Sequence, residues 1–156
     1  MQLLYEEEFL PAAKELIMKA RYSVYISTFK AEITTKPRGR KLSRLFDEIA
    51  QAKIRGLDVR VLINTAAPRG SIPLTNAYAV MFLKKNGIDV RKLHHERCCH
   101  AKLIIVDDYA AILGSHNLSV KSCHNNFEVS CIIYSRTTVT ELIEKYNKVW
   151  EGSRKI

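Results

Sequence analysis

Along the whole chain, short β-branched and aromatic runs alternate with longer segments of helical period, and this alternation constrains the fold more than any other feature. Phe9, Ala13, Leu16, Ile17 and Ala20 recur at helical spacing, with Pro11 tolerated in a first turn and Glu6 to Glu8 beside the positive end of the helix dipole. The first element is therefore expected to be a helix. Residues 22–29 (YSVYISTF) read as a buried strand, and 30–40, broken by Pro37 and Gly39, as a loop. A second helix carries Leu42, Leu45, Phe46, Ile49 and Ala50, ends near Gly56, and leads into a strand at 59–63.

The rest of the chain keeps the pattern. Residues 64–73 (NTAAPRGSIP) have turn chemistry, 77–85 read as a helix, and 88–92 as a short strand. Two apolar runs, 100–106 and 109–113, flank Asp107 and Asp108 and predict a hairpin; 127–134 (FEVSCIIY) predicts a further strand. Val139, Leu142, Ile143, Tyr146 and Trp150 close the chain with a packed helix. These elements predict an α/β fold, a mixed β-sheet sandwiched between helices. At 156 residues, one domain over 1–156 is expected, with a core large enough to need no staples.

Composition narrows the function. Lys and Arg number 25 against 16 Asp and Glu, a formal charge of +9, which favours polyanionic partners such as nucleic acid or an anionic lipid surface. The longest apolar stretches fall far short of the roughly 20 residues that span a bilayer, so no integral membrane association is expected. The acidic start lacks a signal peptide's basic and apolar regions, and a cytoplasmic location is expected. Cys98, Cys99, Cys123 and Cys131 are too few for a disulfide scaffold and are read as reduced thiols. Adjacent Cys98 and Cys99 lack the gap that lets two thiolates share a tetrahedral ion, so no metal is expected.

Chemistry concentrates after residue 100. In the run HAKLIIVD, His100 and Lys102 are two apart, so on a strand both project to the same side. Gly114, Ser115 and Asn117 follow, combining a permissive backbone with hydroxyl and amide groups suited to a phosphate oxygen. His94, His95, His116 and His124 are read as surface or groove residues without a catalytic part.

The chain here resembles the phospholipase D superfamily. Its HxKxxxxD signature is matched by His100, Lys102 and Asp107, and its GSxN by Gly114, Ser115 and Asn117. A single copy in a chain of this size is similar to the small bacterial endonuclease branch, and the resemblance implies a homodimer with one active site shared by two subunits. It further implies that His100 of one subunit attacks phosphorus to give a phosphohistidine while His100 of the other protonates the leaving oxygen, with no cofactor. Lys102 and Asn117 would hold the non-bridging oxygens. Family members use a downstream glutamate to orient the imidazole, and Glu128 is the candidate. Ser115 joins the phosphate network, and Asp107, at a hairpin end, takes a structural or supporting role.

Lys36, Arg38, Arg40, Lys41 and Arg44 form the densest basic run. With no helix-turn-helix, zinc-finger or RNA-binding signature, and few aromatics that read as exposed, this run predicts sequence-independent contact with a phosphate backbone. The leading expectation is a metal-independent phosphodiesterase, a nuclease for DNA or RNA. The alternatives are a phospholipase acting on lipid headgroups, cardiolipin among them, and a catalytically silent nucleic-acid-binding domain.

Overall fold

Alternating apolar side chains give the central strands two buried faces, and helices cover both. The computed structural model describes residues 1–65, 72–94 and 97–156. In chain order its elements are β1 (Gln2–Tyr5), α1 (Phe9–Lys19), β2 (Ser23–Thr28), α2 (Arg40–Ile54), β3 (Asp58–Ile63), α3 (Ile72–Lys85), β4 (Asp89–Lys92), β5 (Leu103–Val106), β6 (Ala110–Gly114), α4 (Val120–His124), β7 (Val129–Ile133), α5 (Arg136–Glu151) and β8 (Arg154–Lys155). Short 3-10 turns occupy Glu6–Glu8 and Pro37–Gly39.

The strands form one eight-stranded sheet in the order β1-β7-β6-β5-β2-β3-β4-β8. The β2, β3 and β4 strands run parallel, each reached through a helix, while β5, β6 and β7 pair antiparallel beside β2. On one face Val24, Ile26, Val61, Ile63, Ile104 and Ile112 pack under α1, α2 and α3. On the other, Tyr25, Leu62, Ile105 and Ala111 meet Val139, Tyr146 and Trp150 of α5. The Tyr146 hydroxyl reaches the main-chain oxygens of Ile26 at 3.2 Å and Arg60 at 3.1 Å, tying α5 to two neighbouring strands. This is the mixed sheet between helices that the alternation predicts.

Several boundaries differ from the sequence reading. The first element is the strand β1, in which Leu4 alone is buried; one buried position carries no readable period. Regular pairing in β5 starts at Leu103, three residues past His100: the ladder fades at Lys102, whose carbonyl accepts from the Gly114 amide at a long 3.4 Å. The β7 strand begins at Val129, after Phe127 and Glu128. The α3 helix starts at Ile72 and takes Pro73, expected in a turn, into its first turn, where a missing amide costs nothing. The short α4 and β8 elements carry too few residues to show a period. Of the expected turn at 64–73, residues 66–71 lie outside the described residues, as does His95. Among the described residues no helix is long and apolar enough to cross a membrane.

Candidate active site

The site lies where the carboxyl ends of the parallel strands β2 and β3 meet the start of β5, the end of β6 and the start of β7. Open sheets with crossover helices place ligand sites at this end of their parallel strands. His100 is exposed there, and Lys102 folds back against it. The Lys102 Nζ is 3.1 Å from Nδ1 and 3.2 Å from Nε2 of His100, and it donates to the His100 carbonyl at 2.7 Å. Being equidistant from both ring nitrogens, the ammonium is aligned with neither lone pair, so it positions positive charge at the imidazole without blocking attack in the ring plane. Partial burial pushes the Lys102 ammonium below its ordinary value, opposed by Cys98, Glu128 and Cys99.

Phe29, just past β2, completes this corner. Its ring tilts against the His100 imidazole with centroids 5.0 Å apart, and Lys102 Nζ is 5.6 Å from the same ring centroid. The next residue, Lys30, donates its amide to Oδ1 of Asn117 at 3.1 Å. That bond fixes which end of the Asn117 amide is the donor, leaving its NH2 group for an incoming oxygen. Neither Phe29 nor the Lys30 amide stands out in the sequence, because their parts depend on a strand end that meets residue 117 only in the folded chain.

Gly114 brings the loop 114–117 onto β7. A Cβ at Gly114 would meet Ser130 Cα and Oγ at 2.4 Å and the Val129 carbonyl at 2.5 Å, so the two backbones can approach this closely only with glycine. The Ser115 amide donates to the Val129 carbonyl at 3.0 Å, and the Ser115 hydroxyl accepts from the Val129 amide at 3.0 Å. The main-chain amide of Asn117 donates to Ser122 Oγ at 2.8 Å, and Ser122 in turn donates to Oε1 of Glu128 at 3.0 Å.

Glu128 is buried, but its position differs from the one predicted. Its Oε1 also accepts from Asn126 Nδ2 at 2.9 Å, whereas the His100 ring lies against Lys102 and Phe29, so within one chain Glu128 does not hold the imidazole. The local donors capture it first. Burial pushes the Glu128 carboxyl up, but Ser115, Asn126, Ser122 and His116 together outweigh that and leave it below the usual carboxylate value. Glu128 is thus an ionised anchor for the Asn117 loop and a countercharge for Lys102.

Asp107 sits at the far end of β5, away from His100. It adopts φ 51, and its carboxylate accepts from the amides of Arg21 at 2.9 Å, Tyr22 at 2.8 Å and Ser23 at 2.8 Å. It ties the hairpin to the start of β2. His116, expected at the surface, is only 2% exposed; its ring stacks on Phe9 with centroids 4.5 Å apart, and its Nδ1 is 2.8 Å from Ser130 Oγ. Burial lowers its pKa. The GSxN stretch is therefore pinned from both sides of its central residue. His94 and His124 are half-buried at the surface.

All four cysteines are free, and burial pushes the Cys99 thiol up to about 11 and the Cys123 thiol to about 12, so both stay protonated. No group of three or more His, Cys, Asp or Glu converges on a metal-sized site among the described residues. Lys36, Arg38, Arg40, Lys41 and Arg44 are all exposed. Lys41 approaches Glu7 at 4.0 Å; the other four make no salt bridge among the described residues. The run is joined to the site through residues 31 and 32: Ala31 bridges Leu118, and the Glu32 amide donates to the Leu118 carbonyl at 2.8 Å. Contrary to the sequence reading, aromatics are exposed, above all Phe127, 80% exposed beside Glu128.

Residues 13–150 match the family model described as "Cardiolipin synthase, PLD-like domain". The chain belongs to the phospholipase D-like family. Enzymes of this family act on phosphodiester bonds, as hydrolases or transferases. A cardiolipin synthase from Alkalihalophilus pseudofirmus is 33% identical over 106 residues, which is 67% of this chain and 21% of the synthase. The chain thus spans about a fifth to a quarter of the length of the curated relatives it matches. Among solved structures, Nuc from Salmonella typhimurium, a phospholipase D family member, superposes with a TM-score of 0.82 at 22% identity, over 99% of this chain and 96% of its own. NucT from Helicobacter pylori gives 0.77 at 20% identity, over 99% and 97%. The fold of this phospholipase D-like chain is accordingly that of Nuc and NucT over its whole length.

Proposed function

We propose that this phospholipase D-like chain is a metal-independent nuclease, cutting DNA or RNA through a phosphohistidine at a site shared by two subunits. The observation that carries the reading is the exposed His100 under an ammonium aligned with neither of its lone pairs, together with an Asn117 side-chain amide whose oxygen is held by the Lys30 amide and whose NH2 group makes no hydrogen bond among the described residues. One chain supplies one nucleophile and half of the phosphate clamp. In a homodimer, a ring nitrogen of His100 bonds to phosphorus as the bond to the leaving oxygen breaks, and that oxygen takes a proton from the partner subunit's His100. Water then gives its proton back to that partner histidine and attacks phosphorus, and the phosphorus–nitrogen bond breaks. Lys102 and Asn117 of both subunits carry the non-bridging oxygens through both steps. The +9 surplus, about doubled in a dimer, and the exposed cations of the 36–44 run favour a polyanionic polymer.

The cardiolipin synthase relatives favour a second reading, transfer of the same phosphoryl group to an alcohol of a lipid instead of to water. One panel separates the two. The protein is incubated in excess EDTA with single- and double-stranded DNA, with RNA, and with phosphatidylglycerol vesicles, beside His100→Ala. Nucleic-acid cleavage abolished in His100→Ala is the expected result. Cardiolipin formation without nucleic-acid cleavage transfers the assignment to the lipid reading, and full cleavage by His100→Ala removes the proposed chemistry.

A further inference from the structure

Two buried asparagines outside the family motifs join the three segments that hold the site. Asn76, on α3, is 1% exposed. Its Oδ1 accepts from the Ala31 amide at 2.9 Å, and its Nδ2 donates to the Phe29 carbonyl at 2.9 Å and to the Asn64 carbonyl at 2.7 Å. Asn64, also 1% exposed, follows β3, and its Oδ1 accepts from the Cys99 amide at 3.2 Å. One side-chain amide thus clamps the residues on both sides of Lys30, the donor to Asn117, and fixes the main chain of Phe29, whose ring rests on His100. The same amide holds the residue whose side chain grips the chain next to His100. A buried amide with all these partners has one orientation, because any flip would set donor against donor and carbonyl against carbonyl.

We infer that Asn76 and Asn64 are positioning residues that set His100, Phe29 and Asn117 in common register for a phosphodiester. The inference rests on the phosphodiesterase reading for its consequence in rate, but the mechanical link can be measured without turnover. Neither asparagine touches the reacting atoms. Their effect acts on alignment, where a displacement near 1 Å costs about a hundredfold in rate. Asn76→Asp keeps the acceptor for Ala31 and the shape of the side chain, but replaces two donations to carbonyls with repulsion. Asn64→Ala removes the acceptor for Cys99 while leaving the main-chain oxygen that Asn76 binds.

The test compares both variants with Met81→Ala, a substitution at an exposed position of the same helix. One readout is kcat and KM on bis(p-nitrophenyl) phosphate in EDTA, corrected for the folded fraction. The other is the chemical shift of the His100 imidazole and of the Lys30 amide by NMR. Both asparagine variants are expected to lower kcat by about ten- to a hundredfold with KM little changed, and to move the His100 and Lys30 resonances, while Met81→Ala moves neither. If wild type turns over nothing yet these resonances move, the positioning link stands and the phosphodiesterase reading falls. Unmoved His100 and Lys30 resonances in a folded variant, or equal effects from Met81→Ala, overturn the inference. Should Asn76→Asp not fold, Asn64→Ala decides it alone.

Discussion

Asp107 and His116 each lie within or between the family's motif residues, and each does its work through burial. The Asp107 carboxylate gathers the amides of Arg21, Tyr22 and Ser23 from across the chain. Asp107→Ala strands those donors and is expected to lower stability by roughly 3 kcal/mol, the upper end for hydrogen bonds to a charged group, read as a fall in the urea midpoint. Phosphodiester cleavage should fall only with the folded fraction. His116 makes a pH prediction. Its folded pKa is below the ordinary 6.5, so the unfolded chain binds the proton first, and the stability this histidine contributes is present above that value and lost as pH falls through it. Glu128, also depressed, adds a second loss below the usual carboxylate value of 4.5. Melting temperature should therefore fall between about pH 7 and about pH 5, and His116→Gln should flatten that slope.

Elements, more than single residues, explain what could be read from the chain. The β2, β3 and β6 strands and the α1, α2 and α5 helices announce themselves because each buries a stripe at its own period, and His100, Lys102, Gly114, Ser115 and Asn117 announce themselves by fixed spacing over a short stretch. Phe29, Asn64 and Asn76 do not, since their bonds span from 12 to 47 residues and exist only where strand ends converge. Glu128 shows how this limit misleads. The family resemblance singled it out as the partner of His100, but its partners Ser122 and Asn126 lie on the short connection through α4, which has no period to read. At this scale the close contact of β6 and β7 is the most exposed to test. Gly114→Ala forces a methyl against Ser130 and Val129, and should cost about 1–3 kcal/mol. It should also lower kcat/KM by about tenfold or more as the 114–117 loop shifts, measurable by melting and by steady-state kinetics on one sample.

For the whole molecule, charge and topology act together. If the 36–44 run guides a polyanion to the site, cleavage of nucleic acid should weaken steeply as salt rises, while turnover of a small diester should change little. Arg38→Ala with Lys41→Ala should raise KM for nucleic acid and leave kcat on bis(p-nitrophenyl) phosphate intact; equal losses on both substrates would remove the run from binding. The order of the strands adds a consequence of another kind. Both outermost strands, β1 and β8, come from the two ends of the chain, and each closes the sheet like a latch. The β8 latch is two cationic residues on β4, a pairing whose loss leaves a short edge guarded by charge. The β1 latch covers β7 beside Glu128 and carries half-exposed Leu3 and Tyr5. Trimming those first residues would bare the backbone along one wall of the site and turn it into a template for another molecule's strand, so loss of activity and fibre-like association should begin at the same edge.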